Sequence, residues 1–363
     1  MLMMSWILDV CHCKKVGCFL SDISGAFDRV FKPYLLAKLQ HFGVGPDFLK
    51  FIDAYLSPRV GQVVVQGQRS CDMDLSNSVF QGTVSGPPLW NAFFSDVSVP
   101  AASTGGQEAM FADDLNVFKQ FDQHVPLDQV TNDLQKCRGK VHKWGAANRV
   151  SFDPSKELLV VLHPSRGHGA PFKLLGCMVD TDLRMHSCIE QLLSKIRPKI
   201  KAILRTRGFY STPDLIIQFK AHIWGLIEVN IGGYFHAASS LLEKIDHVQN
   251  RFLHELGLSS EQAFLQFNFA PPRLRRNIAV LGLYQKRVLG KCHPSFDKLM
   301  PWYSDRFPHG TRPGHDKSIY THWVEASAHN ALFYKSILAM ADVYNNLPQH
   351  VADAPDVKKF NHI

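Results

Sequence analysis

Apolar and polar positions along this chain predict mixed strands and helices up to about residue 182, and almost only helices after it. Residues 16–21 (VGCFLS) form a short apolar run ending at Asp22. That pattern predicts a buried strand with a carboxylate at its carboxyl end. Across 33–56, Leu35, Leu36, Leu39 and Phe42, then Phe48, Leu49, Ile52 and Tyr55, recur at helical spacing. The glycines and proline of 43–46 divide them into two helices. The β-branched run 61–67 (GQVVVQG), bounded by glycines, predicts a strand. Residues 81–88 read as a Gly/Pro-punctuated loop leading into a helix over 89–97. In 109–118 (AMFADDLNVF) two apolar arms flank Asp113-Asp114, which predicts a tight hairpin. Residues 126–148 carry Val130, Leu134, Val141 and Trp144 at helical intervals, and 158–162 and 172–179 predict two further strands.

The second half predicts helices over 188–208, 213–230, 239–257 and 271–290. A stretch rich in Pro, His, Trp and Tyr follows, then a last helix over about 323–344. The change of character places a boundary near 185. The expected division is 1–185, a basic helical region 186–292, and a partly helical extension 293–363.

Composition narrows the reading. With 363 residues, 45% of them hydrophobic, the chain has enough apolar content for a sizeable core. A net charge of +8 favours a polyanionic partner, nucleic acid or an anionic surface. The eight cysteines are scattered without a CxxC pair, as expected of reduced thiols in an intracellular protein. Cys11, His12, Cys13 and Cys18 lack the second ligand pair of a zinc site. No apolar run reaches the ~18 residues that span a membrane. The apolar start, 1–10, lacks a basic flank and reads as a buried helix rather than a secretion signal.

The separated acidic sites carry the chemistry. Joining nucleotides requires in-line attack of a 3′-hydroxyl on an α-phosphate, and two divalent ions about 3.5–4 Å apart can activate the attacking oxygen and stabilise the leaving group. Hard Mg²⁺ prefers oxygen ligands and keeps several waters, so a few carboxylates plus substrate phosphates suffice. Asp22 with Asp113 and Asp114 supplies such a set, although Asp-Asp is also an ordinary turn pair. Phe27 reads as a core ring that could also sit beneath a sugar, and Asp28 reads as a cap for the next helix. Gln81-Gly82 opens a loop in which backbone can approach a nucleotide closely.

Five segments together resemble a known family. DISGAFDRV (22–30) resembles the first catalytic motif of reverse transcriptases, QGTVSGPPLWN (81–91) the second, and FADD (111–114) the third. WGAANRVSFDPSK (144–156) resembles the fourth, and FKLLG (172–176) the fifth, or primer grip. Their order and spacing are similar to those of non-LTR (LINE-like) retrotransposon enzymes. The resemblance implies an α/β right-hand polymerase palm with a mixed or antiparallel sheet, followed by a mainly helical thumb. It implies RNA-directed DNA polymerase activity with two Mg²⁺ ions, Mn²⁺ being an alternative. Asp22, Asp113 and Asp114, with the Ile23 carbonyl, would hold the metals. Phe27 would exclude ribonucleotides, and Gln81 and Gly82 would contact nucleotide and template. Lys156 would approach the leaving pyrophosphate, and Leu175 and Gly176 would underlie the primer end. Gly86 stands where many relatives carry serine, and Phe111 replaces a common tyrosine or alanine. Only 21 residues precede Asp22, so the fingers are expected to be largely missing.

Two basic stretches suit a thumb that tracks an RNA–DNA hybrid by its phosphates. Lys195, Arg197, Lys199, Lys201, Arg205 and Arg207 lie in one; Arg273, Arg275 and Arg276 lead the other, where 262–296 contain no acid. The implied partners are an RNA template, a DNA primer and deoxynucleotides, with no membrane, in a nuclear or cytoplasmic ribonucleoprotein. The rival expectations are a degenerate element that binds nucleic acid without catalysis, a maturase-type intron protein, and an unrelated basic scaffold.

Overall fold

The computed structural model describes residues 1–57, 59–75, 79–303, 315–322 and 329–361. Helix α1 (Leu2–Cys11) is buried over most of its length, as the apolar start predicts, and leads into strand β1 (Lys14–Ser21). Helices α2 (Lys32–His41) and α3 (Pro46–Tyr55) follow, divided at the expected glycines. Asp28 does not cap α2. It lies in a 3-10 turn (Ala26–Arg29), and the position before α2 is Phe31, which has no side-chain cap. The strand expected over 61–67 is two minimal ladders. Val60–Gly61 pairs with Met73–Asp74, and Val64–Val65 pairs with Gln68–Arg69. Gln66 and Gly67 have positive φ and fold the run back as a turn.

Helix α4 (Gly86–Phe94) starts inside the predicted loop, its first turn accommodating Pro87 and Pro88, where an absent N–H costs nothing. A short helix α5 (Ser98–Ala102) leads to the hairpin β2 (Gln107–Phe111) and β3 (Asp114–Asp122). The hairpin is in register from Gln107↔Phe118 to Phe111↔Asp114. Helix α6 (Leu127–Asn148) and strand β4 (Leu158–Leu162) complete a four-stranded sheet of order β2-β3-β1-β4. The core beside it gathers Phe19, Trp90, Phe93, Phe94, Leu115 and Val141.

Strands β5 (Phe172–Leu174) and β6 (Cys177–Val179) are a hairpin, not the single strand expected over 172–179. Helices α7 (His186–Arg205) and α8 (Thr212–Phe219) follow, the latter continuing through a π turn (Lys220–Trp224) to Glu228. Then come α9 (Ser239–Glu255), α10 (Ser260–Phe267), unanticipated from the sequence, and α11 (Pro272–Val288). The helix expected over 323–344 begins outside the described residues. Its described part is broken into Asn330–Lys335, a 3-10 turn and Met340–Asn345, with Ser336 extended.

Packing divides the chain into two compact units, Val16–Val160 and Met1–Lys15 with Val161–Ile363. The first contains the sheet with α2 to α6. The second contains α1, the β5–β6 hairpin and the later helices.

Candidate active site

Every residue expected to carry chemistry, from Asp22 to Lys156, lies in the Val16–Val160 unit. Asp22 follows directly on β1, whose neighbour in the sheet is β3, and Asp114 opens β3. The backbone here is stitched to the segment before β4. Asp153 N–H donates to the Asp22 carbonyl at 3.0 Å, Ser24 N–H to Ser151 at 3.1 Å, and Ile23 bridges to Phe152. The first and fourth motifs therefore meet as one surface.

Lys156 closes that surface. Its ammonium pairs with Asp22 Oδ2 and lies 3.9 Å from Asp153. Its pKa is raised, first by the hydrogen bond to Asp22 and then by the charge of Asp22, with Asp153 and Asp113 adding smaller contributions. Asp153 is held below the ordinary carboxylate range, chiefly because the Ser155 hydroxyl and N–H both donate to it. That turn sets the course of the chain into Lys156. Next to it, the side chain of Glu157 is buried. It accepts from the Ser21 hydroxyl at 3.2 Å and meets His142 Nε2 at 2.5 Å. Arg138 Nε lies 2.8 Å from its other oxygen, an ion pair without hydrogen-bond alignment. Glu157 thus ties α6 to the residue before Asp22, a role not foreseen in the sequence.

The turn carrying Asp113 is unusual. Phe111 pairs with Asp114, and Ala112 between them has φ 55, a positive value usually given to glycine. The Trp90 indole N–H donates to the Ala112 carbonyl at 2.8 Å. Trp90 also stacks on Phe27, with centroids 5.7 Å apart at 24°. Phe27 is half-buried, and a Cβ on Gly86 would lie 3.6 Å from its ring. The same Cβ would fall 2.6 Å from the Phe80 carbonyl oxygen, so glycine is sterically required in this backbone. Thr83 holds the loop by donating to Phe80 at 2.8 Å and accepting from Gly86 N–H at 3.1 Å. Gln81 and Gly82 are exposed at its mouth, Gly82 with φ 81. Trp90 was another functional residue unforeseen in the sequence. The signal available was a tryptophan in an apolar run, whose buried N–H requires an acceptor.

The donor chemistry suits a hard divalent ion, because Asp22, Asp113, Asp114 and the Ile23 carbonyl offer only oxygen. Among the described residues, no three His, Cys, Asp or Glu side chains form a ready-made metal cluster. Lys156 neutralises Asp22 in this state.

Comparison with known proteins fits this geometry. Residues 9–179 match the family described as reverse transcriptase (RNA-dependent DNA polymerase). Over that span the chain is similar to the reverse transcriptase family. It is 27% identical over 261 residues to the RNA-directed DNA polymerase from mobile element jockey of Drosophila funebris, covering 66% of this chain and 28% of that protein. The jockey protein of Drosophila melanogaster is 26% identical, with the same coverage of each. The probable RNA-directed DNA polymerase from transposon X-element of Drosophila melanogaster is 24% identical, over 63% of this chain and 27% of the relative. The chain therefore spans little more than a quarter of the length of these relatives. Among solved structures, a telomerase from Candida tropicalis in complex with a fragment of telomeric RNA aligns at 10% identity and TM-score 0.40, over 78% of this chain and 49% of that one.

The remaining expected residues lie outside the Val16–Val160 unit. Leu175 and Gly176, with φ 46 and 86, form the two-residue turn between β5 and β6, and Leu175 is 53% exposed. Lys195, Arg197, Lys199, Lys201, Arg205 and Arg207 are all exposed on and just beyond α7. Two of the later arginines need correction. Arg276 is 4% exposed and forms a bidentate pair with Asp246 at 2.7 and 3.0 Å. Arg275 pairs with Glu228 and stacks over Trp224, 3.5 Å from its centroid. Both guanidiniums are used internally, by acids 30 and 47 residues away in sequence. Arg273 is exposed.

Proposed function

We propose that this chain is the polymerase portion of a non-LTR retroelement protein and extends a primer 3′ end with deoxynucleotides on an RNA template. The observation that carries the reading is the convergence of Lys156, through one ammonium group, on Asp22 and the charge of Asp113. Residues from the first and fourth motifs thereby meet, and the charge of Asp113 adds a smaller contribution at Lys156.

Asp22, Asp113 and the Ile23 carbonyl would hold two divalent ions, with Asp114 supporting them. Such ions, when bound, supply activation of the attacking hydroxyl and stabilisation of the leaving pyrophosphate. Lys156 is 58% exposed at its side chain, so its pair with Asp22 opens at little cost. Released from Asp22, it stands beside the triphosphate and can donate a proton to the leaving group. Phe27, braced by Trp90, excludes a 2′-hydroxyl. Gln81 and Gly82 contact nucleotide and template, and Leu175-Gly176 supports the primer end. The functional division we propose is a palm over 1–185, a thumb over 186–292 and an extension over 293–363, acting in an intracellular ribonucleoprotein.

Primer extension on an RNA template with Mg²⁺ tests the reading. Extension that is abolished by Asp113→Ala, with hybrid binding retained, supports it. No incorporation by the chain in its full natural context overturns it. A second reading, nucleic-acid binding without catalysis, applies if the Lys156–Asp22 pair stays closed and withholds that carboxylate. Mg²⁺-independent binding with no extension under any condition selects it.

A further inference from the structure

We infer that the groove between α7 and α9 binds a single strand of nucleic acid, with Phe209 and Tyr210 as its stacking platform. The inference rests on the polymerase reading for the class of partner and adds the form of that partner and the place where it binds.

The groove encloses about 760 Å³. Its floor is apolar, made by Ile200, Leu204 and Val248. Its rim is cationic, with Arg197, Lys201, Arg205 and Arg251 all exposed. Glu255, the one carboxylate lining it, is paired with Arg207 at 2.7 Å, so its charge is locally offset. Just beyond Gly208, Phe209 is 88% exposed and Tyr210 50% exposed. Large rings left in water call for a reason.

The loop that presents them is held at both ends. Phe209 N–H donates to the Thr206 carbonyl at 2.9 Å, and Ser211 opens α8 in a reciprocal capping box with Asp214. The rings are therefore displayed by a short anchored segment, which lowers the entropy lost when a ligand stacks on them.

The combination discriminates between ligands. A duplex turns its phosphates outward and keeps base faces inside, so it would use the cations and leave the floor and rings unmatched. A single strand offers both charge and flat base faces, the pairing that aromatic side chains in a basic groove recognise without sequence preference. An acidic peptide would satisfy the cations but supplies no bases for the rings.

The test is fluorescence anisotropy of the 363-residue chain with labelled oligouridylate and with a labelled RNA–DNA duplex at one fixed salt concentration. Combined Phe209→Ala and Tyr210→Ala should weaken oligouridylate binding by about tenfold or more, while duplex binding changes by less than about twofold. Both side chains are exposed, so circular dichroism should be unaltered; a second variant, Lys201→Ala, should weaken both ligands through phosphate contact. Unchanged oligouridylate affinity, or equal losses on both ligands, overturns the inference. So does polyglutamate binding with the same dependence on the two rings. Primer extension by the unaltered chain separates the two readings. If no primer extension is ever seen but ring-dependent oligouridylate binding persists, the polymerase reading fails and the groove assignment stands.

Discussion

The indole N–H of Trp90 donates to the carbonyl oxygen of Ala112 at 2.8 Å. Ala112 holds a positive φ that L-residues adopt at a cost, and a buried donor aimed at its carbonyl keeps the turn in that shape. The same ring also stacks on Phe27. One side chain thus sets both the turn that presents Asp113 and the ring proposed to read the sugar.

Trp90→Phe keeps the stack and removes the donor. A lost neutral hydrogen bond is worth about 1 kcal/mol, so the turn should loosen without unfolding the chain. Primer extension should show kcat reduced by about five- to tenfold and KM for deoxynucleotides little changed. A proportional rise in KM alone would place Trp90 in nucleotide binding instead.

Phe27→Ala opens the space between Gly86 and Trp90. Ribonucleotide incorporation should rise relative to deoxynucleotide incorporation by on the order of tenfold or more. Discrimination equal to wild type removes Phe27 from sugar selection and leaves it a packing residue.

Gly86→Ser restores the residue common in similar enzymes but forces a Cβ to within 2.6 Å of the Phe80 carbonyl. The start of α4 must shift, which should cost about 1–3 kcal/mol, measured as a lower urea midpoint. An unchanged midpoint would mean that the Phe80–Thr83 segment yields freely.

Arg276→Ala and Lys201→Ala should separate cleanly. Arg276 is buried on Asp246, so its loss should destabilise the chain by about 3 kcal/mol with little change in the salt slope of nucleic-acid binding. Lys201 is exposed, so its loss should leave stability intact and reduce that slope by about one. The reverse pattern would contradict the internal role of Arg276.

His236 is buried and hydrogen-bonds the Leu183 carbonyl at 2.9 Å; burial pushes its pKa from 6.5 down to about 4. Between those values the folded imidazole stays neutral while the unfolded one takes a proton. The unfolded state therefore binds more protons, and stability falls as pH drops from 6.5 towards 4. The loss is on the order of 3 kcal/mol for this group, and His163, also lowered to about 4 mainly by burial, adds to it. His236→Asn should flatten the dependence of the urea midpoint over this range; an undiminished slope would exclude His236 as a source.

Much of the Val16–Val160 unit was legible because its periodicities are strong. The apolar run before Asp22, the two arms around Asp113 and the long amphipathic helix α6 all form as expected. The hairpin at 172–179 was not, since its turn places a leucine at positive φ, a position that propensity assigns to Asn, Asp or Gly. The internal roles of Arg275 and Arg276 were hidden for another reason. Local charge counting finds no acid between 262 and 296, but their partners, Glu228 and Asp246, arrive from other helices. Trp90 and Glu157 share that limitation: each acts through a partner that only the fold supplies.

The clasp between Lys156 and Asp22 bears on how the folded chain carries the charge of Asp22. A carboxylate that carries its own tethered ammonium needs no dissolved ion to keep its charge from its neighbours. The Val16–Val160 unit can therefore carry Asp22 without a divalent ion beside it. Were Asp22 to hold a divalent ion, that ion would take the place of the Lys156 ammonium, and the net charge gained at Asp22 would be one rather than two.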